Sequence, residues 1–241
     1  MKKIIQNIAG ALGYSIIKKK NFFKIQRTLD AAIKNKILKD NPIILDVGAH
    51  EGESIVRFKN IFKDPHIHSF EPQEESFNIL KRLKNKNIFV NNFALGSKEE
   101  IKDFYINSND ATSSFIPLDN SSKHLKGITT IKNKKINLKK LDDYVAEKEI
   151  DYIDLLKIDV QGYETEVLLG SLKSLSNKIK MIEVEICFVE YYKNISSFYN
   201  IEKIINEQFE LYALSSPVAR RDGRIKVLDA LYIKKVKNLL R

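Results

Sequence analysis

The 241-residue chain contains one cysteine, no tryptophan, five prolines and nine glycines, and no apolar run approaches the ~20 residues that a membrane-spanning helix needs. The lone Cys187 excludes an intrachain disulfide and a thiolate metal cage, and makes a reducing, cytoplasmic setting the natural one. It lies in MIEVEICFVE without a nearby histidine or basic cluster, which reads as a small buried hydrophobe. Too few prolines and glycines are available to build a flexible linker. The expected organisation is one domain over residues 41–241, preceded by a helical extension over residues 1–40.

What the chain has is a 43% hydrophobic content, enough for a sizeable core, and 41 basic against 31 acidic residues, a net charge of +10. Such an excess suits nucleic acid, an anionic membrane surface or an acidic substrate, and charge alone does not choose among them. Within Met1–Phe23, Ile4, Ile5, Ile8, Leu12 and Ile16 recur at helical spacing between Lys2–Lys3 and Lys18–Lys19–Lys20. This predicts a basic, amphipathic helix that packs on its own domain or touches anionic lipid. Its interrupted apolar centre makes a poor signal peptide.

A second helical stretch spans Ile25 to Leu38, and Pro42 then introduces IILDV, a short apolar run that ends in an acidic residue and a glycine. Strand, glycine turn and helix (Glu53 to Phe62) follow one another, and strand His66–Phe70 leads into helix Glu74–Leu83. A third strand is expected from Asn87 to Leu95. These units predict an α/β, Rossmann-like, doubly wound and mostly parallel sheet. The middle breaks the rhythm: KDFYIN and KKINL read as strands of a small β insertion around the polar Ser108–Ser122. Alternation resumes with helix Leu141–Glu147, strand Tyr152–Asp159, helix Tyr163–Leu175 and strand Lys180–Cys187. Helix Ile201–Gln208 and strands Glu210–Ser215 and Leu228–Lys234 close the chain.

In such a sheet ligands sit beyond the carboxyl ends of the strands. The first candidate there is the Asp46-x-Gly48-x-x-x-Gly52 loop, where glycine permits positive φ and close approach of a ligand to backbone. A carboxylate in this loop repels pyrophosphate but suits an amino acid's ammonium, and the full G-x-G-x-x-G fingerprint is absent, so a phosphate-free nucleoside cofactor is favoured over a dinucleotide. Glu71, before Pro72, follows the second strand where a ribose-binding carboxylate is expected; its two oxygens can accept from both ribose hydroxyls.

Six segments in order, LDVGAHEGES, FEPQEESFNIL, NFALGSKEE, DATSS, LDDY and LLKIDVQGYETEVLLG, make the chain resemble the FkbM-type methyltransferase family. The resemblance implies a class I methyltransferase sheet with a final antiparallel strand, S-adenosylmethionine as cofactor, and methylation of a hydroxyl on a sugar, polysaccharide or related small product. It implies that Asp46, Gly48, Ala49 and Gly52 hold the methionine end, with His50 in the same loop and Ser54 near the helix start. By the same resemblance Glu71 takes the ribose beside Pro72, Asn92, Ala94 and Leu95 flank the adenine, and Asp159 with Gln161 faces the transfer centre. Gln161 departs from the commoner Glu of KIDVEG, which leaves metal dependence open and no metal ligand assigned.

A sugar hydroxyl is a poor nucleophile until a base takes its proton. Asp159, at a strand's carboxyl end, is the first candidate; capping the next helix is its bland alternative, and His50 is a second base candidate. Glu183 and Glu185 share one strand face, and either could approach the acceptor. Tyr191, Tyr192, Phe198 and Tyr199 would make a sugar-stacking wall or simply pack. No role is expected for His66, His68 or His124. Two rival functions remain: an RNA ribose methyltransferase, prompted by the Lys132–Lys140 cluster, and a non-catalytic cofactor-binding module. Base N-methylation is disfavoured because KIDVQG stands where an Asn/Asp-Pro-Pro-aromatic motif would be, though ribose methylation is not; a small-molecule or glycan acceptor is expected over nucleic acid.

Overall fold

The computed structural model describes residues 28–122, 127–189, 191–193, 195–219 and 222–236. The helix expected within Met1–Phe23, the first residues of the Ile25–Leu38 stretch and His124 lie outside them. In chain order the described elements are α1 (Thr28–Lys36), β1 (Ile43–Val47), α2 (Glu53–Ile61), β2 (His66–Phe70), α3 (Glu74–Leu80), β3 (Ile88–Asn91), β4 (Ala94–Leu95), β5 (Glu100–Asn107) and β6 (Thr130–Lys139). After these come α4 (Leu141–Glu147), β7 (Leu155–Ile158), α5 (Glu164–Leu169), α6 (Leu172–Asn177), β8 (Met181–Cys187), α7 (Phe198–Ile205), β9 (Phe209–Leu214), β10 (Val218–Ala219) and β11 (Ile225–Lys234).

The main sheet has the order β10-β11-β8-β7-β1-β2-β3, with β9 also on β11. Strands β3, β2, β1, β7 and β8 pair in parallel, and β11 runs antiparallel to β8. The Rossmann-like sheet with its antiparallel strand is therefore present. Successive side chains of a strand point to opposite faces, and here both faces are covered. Leu45, Leu156 and Ile182 meet Val145 of α4, Val167 of α5 and Ile201 of α7 on one side. Ile44, Leu155 and Met181 meet Ile33 of α1, Phe58 of α2 and Leu80 of α3 on the other. Burial on two faces explains why these strands read as continuous apolar runs. Leu29, Ile33 and Ile37 join the second cluster, so α1 shares the core of the main body. No helix among the described residues is long and apolar enough to cross a membrane.

Two expected elements divide. The strand expected from Asn87 to Leu95 leaves the main sheet after Asn91, and Ala94–Leu95 pairs instead with Leu138–Lys139 of the insertion. That insertion is a three-stranded sheet, β4-β6-β5, around Phe104, Ile106, Phe115 and Leu138. The helix expected from Tyr163 to Leu175 breaks into α5 and α6 at Gly170. A Cβ there would lie 2.0 Å from the carbonyl oxygen of Gly96, so the two backbones touch and only glycine fits.

Candidate active site

The site begins where β1 ends. Gly48 has φ +81°, and a Cβ on it would stand 1.8 Å from the carbonyl oxygen of Asp159, so the glycine lets the loop lie directly against the end of β7. The N–H groups of Gly48 and Ala49 both donate to the Phe70 carbonyl at the end of β2, each at 3.1 Å. Three strand ends are thereby drawn together around a cavity of about 280 Å³, near the small end of ligand sites, which span roughly 300–1,000 Å³.

Of the residues singled out in the sequence, Gly48, Ala49, His50, Ser54, Glu71, Pro72, Ala94, Leu95, Asp159 and Gln161 line this one cavity. Three stand behind it. Asp46 is wholly buried (0% exposed) and faces the ammonium of Lys157 at 3.3 Å. Its charge is matched inside the fold, so it does not reach a ligand's ammonium as expected. Gly52, φ +100°, has Leu83 and Leu80 where a Cβ would be, so it serves helix packing. Asn92 donates to the carbonyls of Glu71 and Pro72 at 3.0 and 3.3 Å and holds that turn from outside.

Glu71 is nearly buried and accepts from the backbone N–H groups of His50 and Gln73 at 2.9 and 2.8 Å. Burial pushes its carboxyl up to about 7, against the pull of these two donors. At the other end of the cavity the Asp159 side chain is one-third exposed; its Oδ1 accepts from Gln161 Nε2 at 2.9 Å and its Oδ2 lies 3.7 Å from Lys157 Nζ. Gln161, at φ +54°, gives Glu185 its other contact, Nε2 to Oε2 at 3.1 Å. Burial and the neighbouring Asp159, Glu164 and Asp229 push Glu185 up to about 9. Glu183, by contrast, pairs with Arg57 at 2.6 Å.

The insertion supplies the roof. Phe104, Asp110, Ala111, Ser113 and Phe115 line the cavity together with Tyr163 of the main body. The sequence reading gave none of these residues a site role, nor Gln73 and Lys157, although DATSS carried Asp110, Ala111 and Ser113 into the resemblance and Lys157 stood in the polar cluster with Asp159. The aromatic ones carry no local signal, because an apolar residue in a strand reads as core; Phe104, Phe115 and Tyr163 do pack on one another, at 4.8 and 5.1 Å. Lys157 carried a signal, a lysine inside the buried run LLKI. His50 presents its Nδ1 to Glu53 and its Nε2 to Asp110, both at 3.3 Å. Burial would lower its pKa, but the two carboxylates outweigh it and raise it. His50, Glu51 and Asp110 bring one donor atom each within 4.8 Å of one another, a spacing that suits a divalent cation, although Glu51 and Asp110 are exposed.

The Tyr191–Tyr199 wall is not assembled as a stacking surface. Tyr192 is buried, with its hydroxyl at 2.8 Å from the Thr112 carbonyl and 3.2 Å from Gln161 Oε1, while Tyr199 is exposed. His68 lies on β2 outside the cavity, bonded to the Tyr144 hydroxyl at 2.8 Å. Burial pushes the Cys187 thiol up to about 11, in keeping with its inert role.

A glycine loop after β1, a carboxylate after β2 and a polar Asp–Gln pair after β7, set in this strand order, define a class I, S-adenosylmethionine-dependent methyltransferase. Two solved structures share the fold: an FkbM methyltransferase from Methylobacillus flagellatus KT (TM-score 0.51, 15% identity, 81% of this chain and 44% of that one) and an rRNA methylase from Streptococcus thermophilus (TM-score 0.51, 13% identity, 92% and 100%). At these identities the likeness shows the fold alone. In sequence, the 2-O-methyltransferase NoeI of Sinorhizobium fredii is 25% identical over 169 residues, 64% of this chain and 67% of NoeI. The methyltransferase FkbM domain matches residues 46–211, and the chain belongs to that family.

Proposed function

We propose that the protein transfers a methyl group from S-adenosylmethionine to a hydroxyl of a sugar, polysaccharide or similar small acceptor. The observation that carries this reading is the placement of Asp159, a part-exposed carboxylate held at the cavity wall across from Glu71. The cradle fits the cofactor: Gly48 leaves room against the backbone, Glu71 offers oxygens for ribose hydroxyls, and Phe104, Phe115 and Tyr163 offer apolar surface for a base. Bound there, S-adenosylmethionine supplies an electrophilic methyl group on a sulfonium. Asp159 takes the proton of the acceptor hydroxyl, while Gln161 keeps that carboxylate oriented. His50 is poorly suited to this role, because both of its ring nitrogens already face carboxylates.

The name of NoeI, a 2-O-methyltransferase, agrees with hydroxyl chemistry. An RNA acceptor loses support because the Lys132–Lys140 cluster is largely matched by acids. Lys132 and Lys134 meet Glu75, Lys135 meets Asp103, and Lys139 meets Glu147. The test is incubation with methyl-labelled S-adenosylmethionine, a panel of oligosaccharides and, in parallel, ribosomal RNA. Label in a glycan is expected, with Asp159→Asn lowering turnover by about a hundredfold or more while S-adenosylhomocysteine affinity stays within about tenfold. Label in RNA alone would overturn the acceptor class, and cofactor binding with no product from any acceptor would leave a binding module.

A further inference from the structure

We infer that Lys157 is a positioning residue: it ties the Asp159 carboxylate to β1 and the glycine loop. This deepens the reading of Asp159 as the base and rests on it. Asp46 and Lys157 are register partners on β1 and β7, and Asp159 follows two residues along, so strand alternation sets all three side chains on one side. An ammonium has three protons and no acceptor. Three acceptors surround this one: Asp46 Oδ1 at 3.3 Å, the Gly48 carbonyl at 3.3 Å and Asp159 Oδ2 at 3.7 Å. The Gly48 contact is a hydrogen bond and the two carboxylates are held as ion pairs, which makes Lys157 a tie between chain segments although it lines the cavity.

Asp46 makes this tie specific. Neither of its oxygens has a hydrogen bond of good geometry, and both are buried, so the charge of Lys157 is what balances it. Burial would lower the pKa of Lys157, yet Asp46, Asp159 and Glu183 together raise it, and the side chain stays an ammonium. The groups around Asp159 are otherwise neutral or acidic: the Gln161 amide, the carboxyl groups of Asp46, Glu164, Glu185 and Asp229, and the Tyr192 hydroxyl. Among the described residues Lys157 is the cation paired with the Asp159 carboxylate.

The experiment follows the Asp159 carboxyl carbon by NMR in the full chain labelled at aspartate, with the signal identified by its loss in Asp159→Asn. It needs neither cofactor nor acceptor, so it succeeds or fails separately from the methyltransferase reading. Asp46→Asn with Lys157→Met removes both buried charges together. In that variant the Asp159 titration curve is expected to move about 1–3 pH units toward alkaline. Asp46→Asn alone gives Lys157 wholly to Asp159 and moves the curve the other way, which serves if the double variant does not fold. An unmoved curve in either folded variant overturns the inference. Movement without any loss of turnover in an active preparation would overturn the base reading alone.

Discussion

His50 Nε2 and Asp110 Oδ2 meet at 3.3 Å across 60 residues of sequence, joining the loop after β1 to the roof contributed by the insertion. The Gln73 side chain adds a second tie, donating to the Asp110 carbonyl at 3.3 Å.

Because both partners of that ion pair are partly exposed, Asp110→Ala is expected to change unfolding free energy by less than about 1 kcal/mol. Its effect belongs to the roof: release of S-adenosylhomocysteine in stopped flow is expected to quicken severalfold. An unaltered release rate would show that the roof is held by other contacts.

Gly48 and Gly127 have nearly the same backbone angle, φ +81° and +83°, but different surroundings. At Gly127 a Cβ meets nothing within 4 Å, so Gly127→Ala costs only the strain of its conformation, about 1–2 kcal/mol. Gly48→Ala drives a methyl into the Asp159 carbonyl and is expected to abolish cofactor binding. Calorimetry on the two variants side by side checks this, and equal affinities would refute the close packing of loop and strand.

Glu71 acts as an acceptor only when ionised, and burial pushes it up to about 7. Affinity for S-adenosylhomocysteine should therefore fall as pH drops from about 8 to about 6, as the acceptor charge is lost. Glu71→Gln keeps an acceptor for only one of the two backbone donors, which meet different oxygens, weakens binding by about tenfold and removes this pH dependence. A variant with full affinity would move the ribose elsewhere.

Burial raises Glu71 and Glu164 to about 7 and Glu185 to about 9. The native chain thus holds more protons than the unfolded chain from the ordinary carboxyl range upward. The stabilisation from these groups is complete below that range and is lost as pH rises through about 7 and then about 9. The carboxylates shifted the other way, Glu53, Glu75, Asp119 and Glu147, are exposed or half-exposed and screened. Tm is expected to be lower at about pH 9 than at about pH 6; a flat or rising profile would contradict it.

The sequence disclosed the strands whose burial is two-sided and the turns that end them. IILDV appears as β1 with the bounds expected, because an apolar run stopped by Asp and Gly has few other meanings. It did not disclose that the chain crosses to another sheet between Asn91 and Ala94, since both sides of the break are equally apolar. The same limit hid Phe104 and Phe115, whose role depends on a fold of the insertion that local pattern does not specify. Asp46 was legible as important but misplaced, because its partner lies 111 residues away, a separation the Ile43 N–H to Asp154 bond repeats at the start of the same strand.

That separation bears on how the molecule is made. During synthesis at about 5–20 residues per second, β1 waits roughly 5–20 s for β7 to emerge. Until then β1 has an open edge beside β2, Asp46 has no counter-charge, and nothing presses on Gly48. The nascent amino-terminal half therefore lacks the partners that complete the cofactor loop. Assembly of the site coincides with the pairing of β1 with β7, and until then the growing chain carries an unpaired strand edge of the kind that favours aggregation.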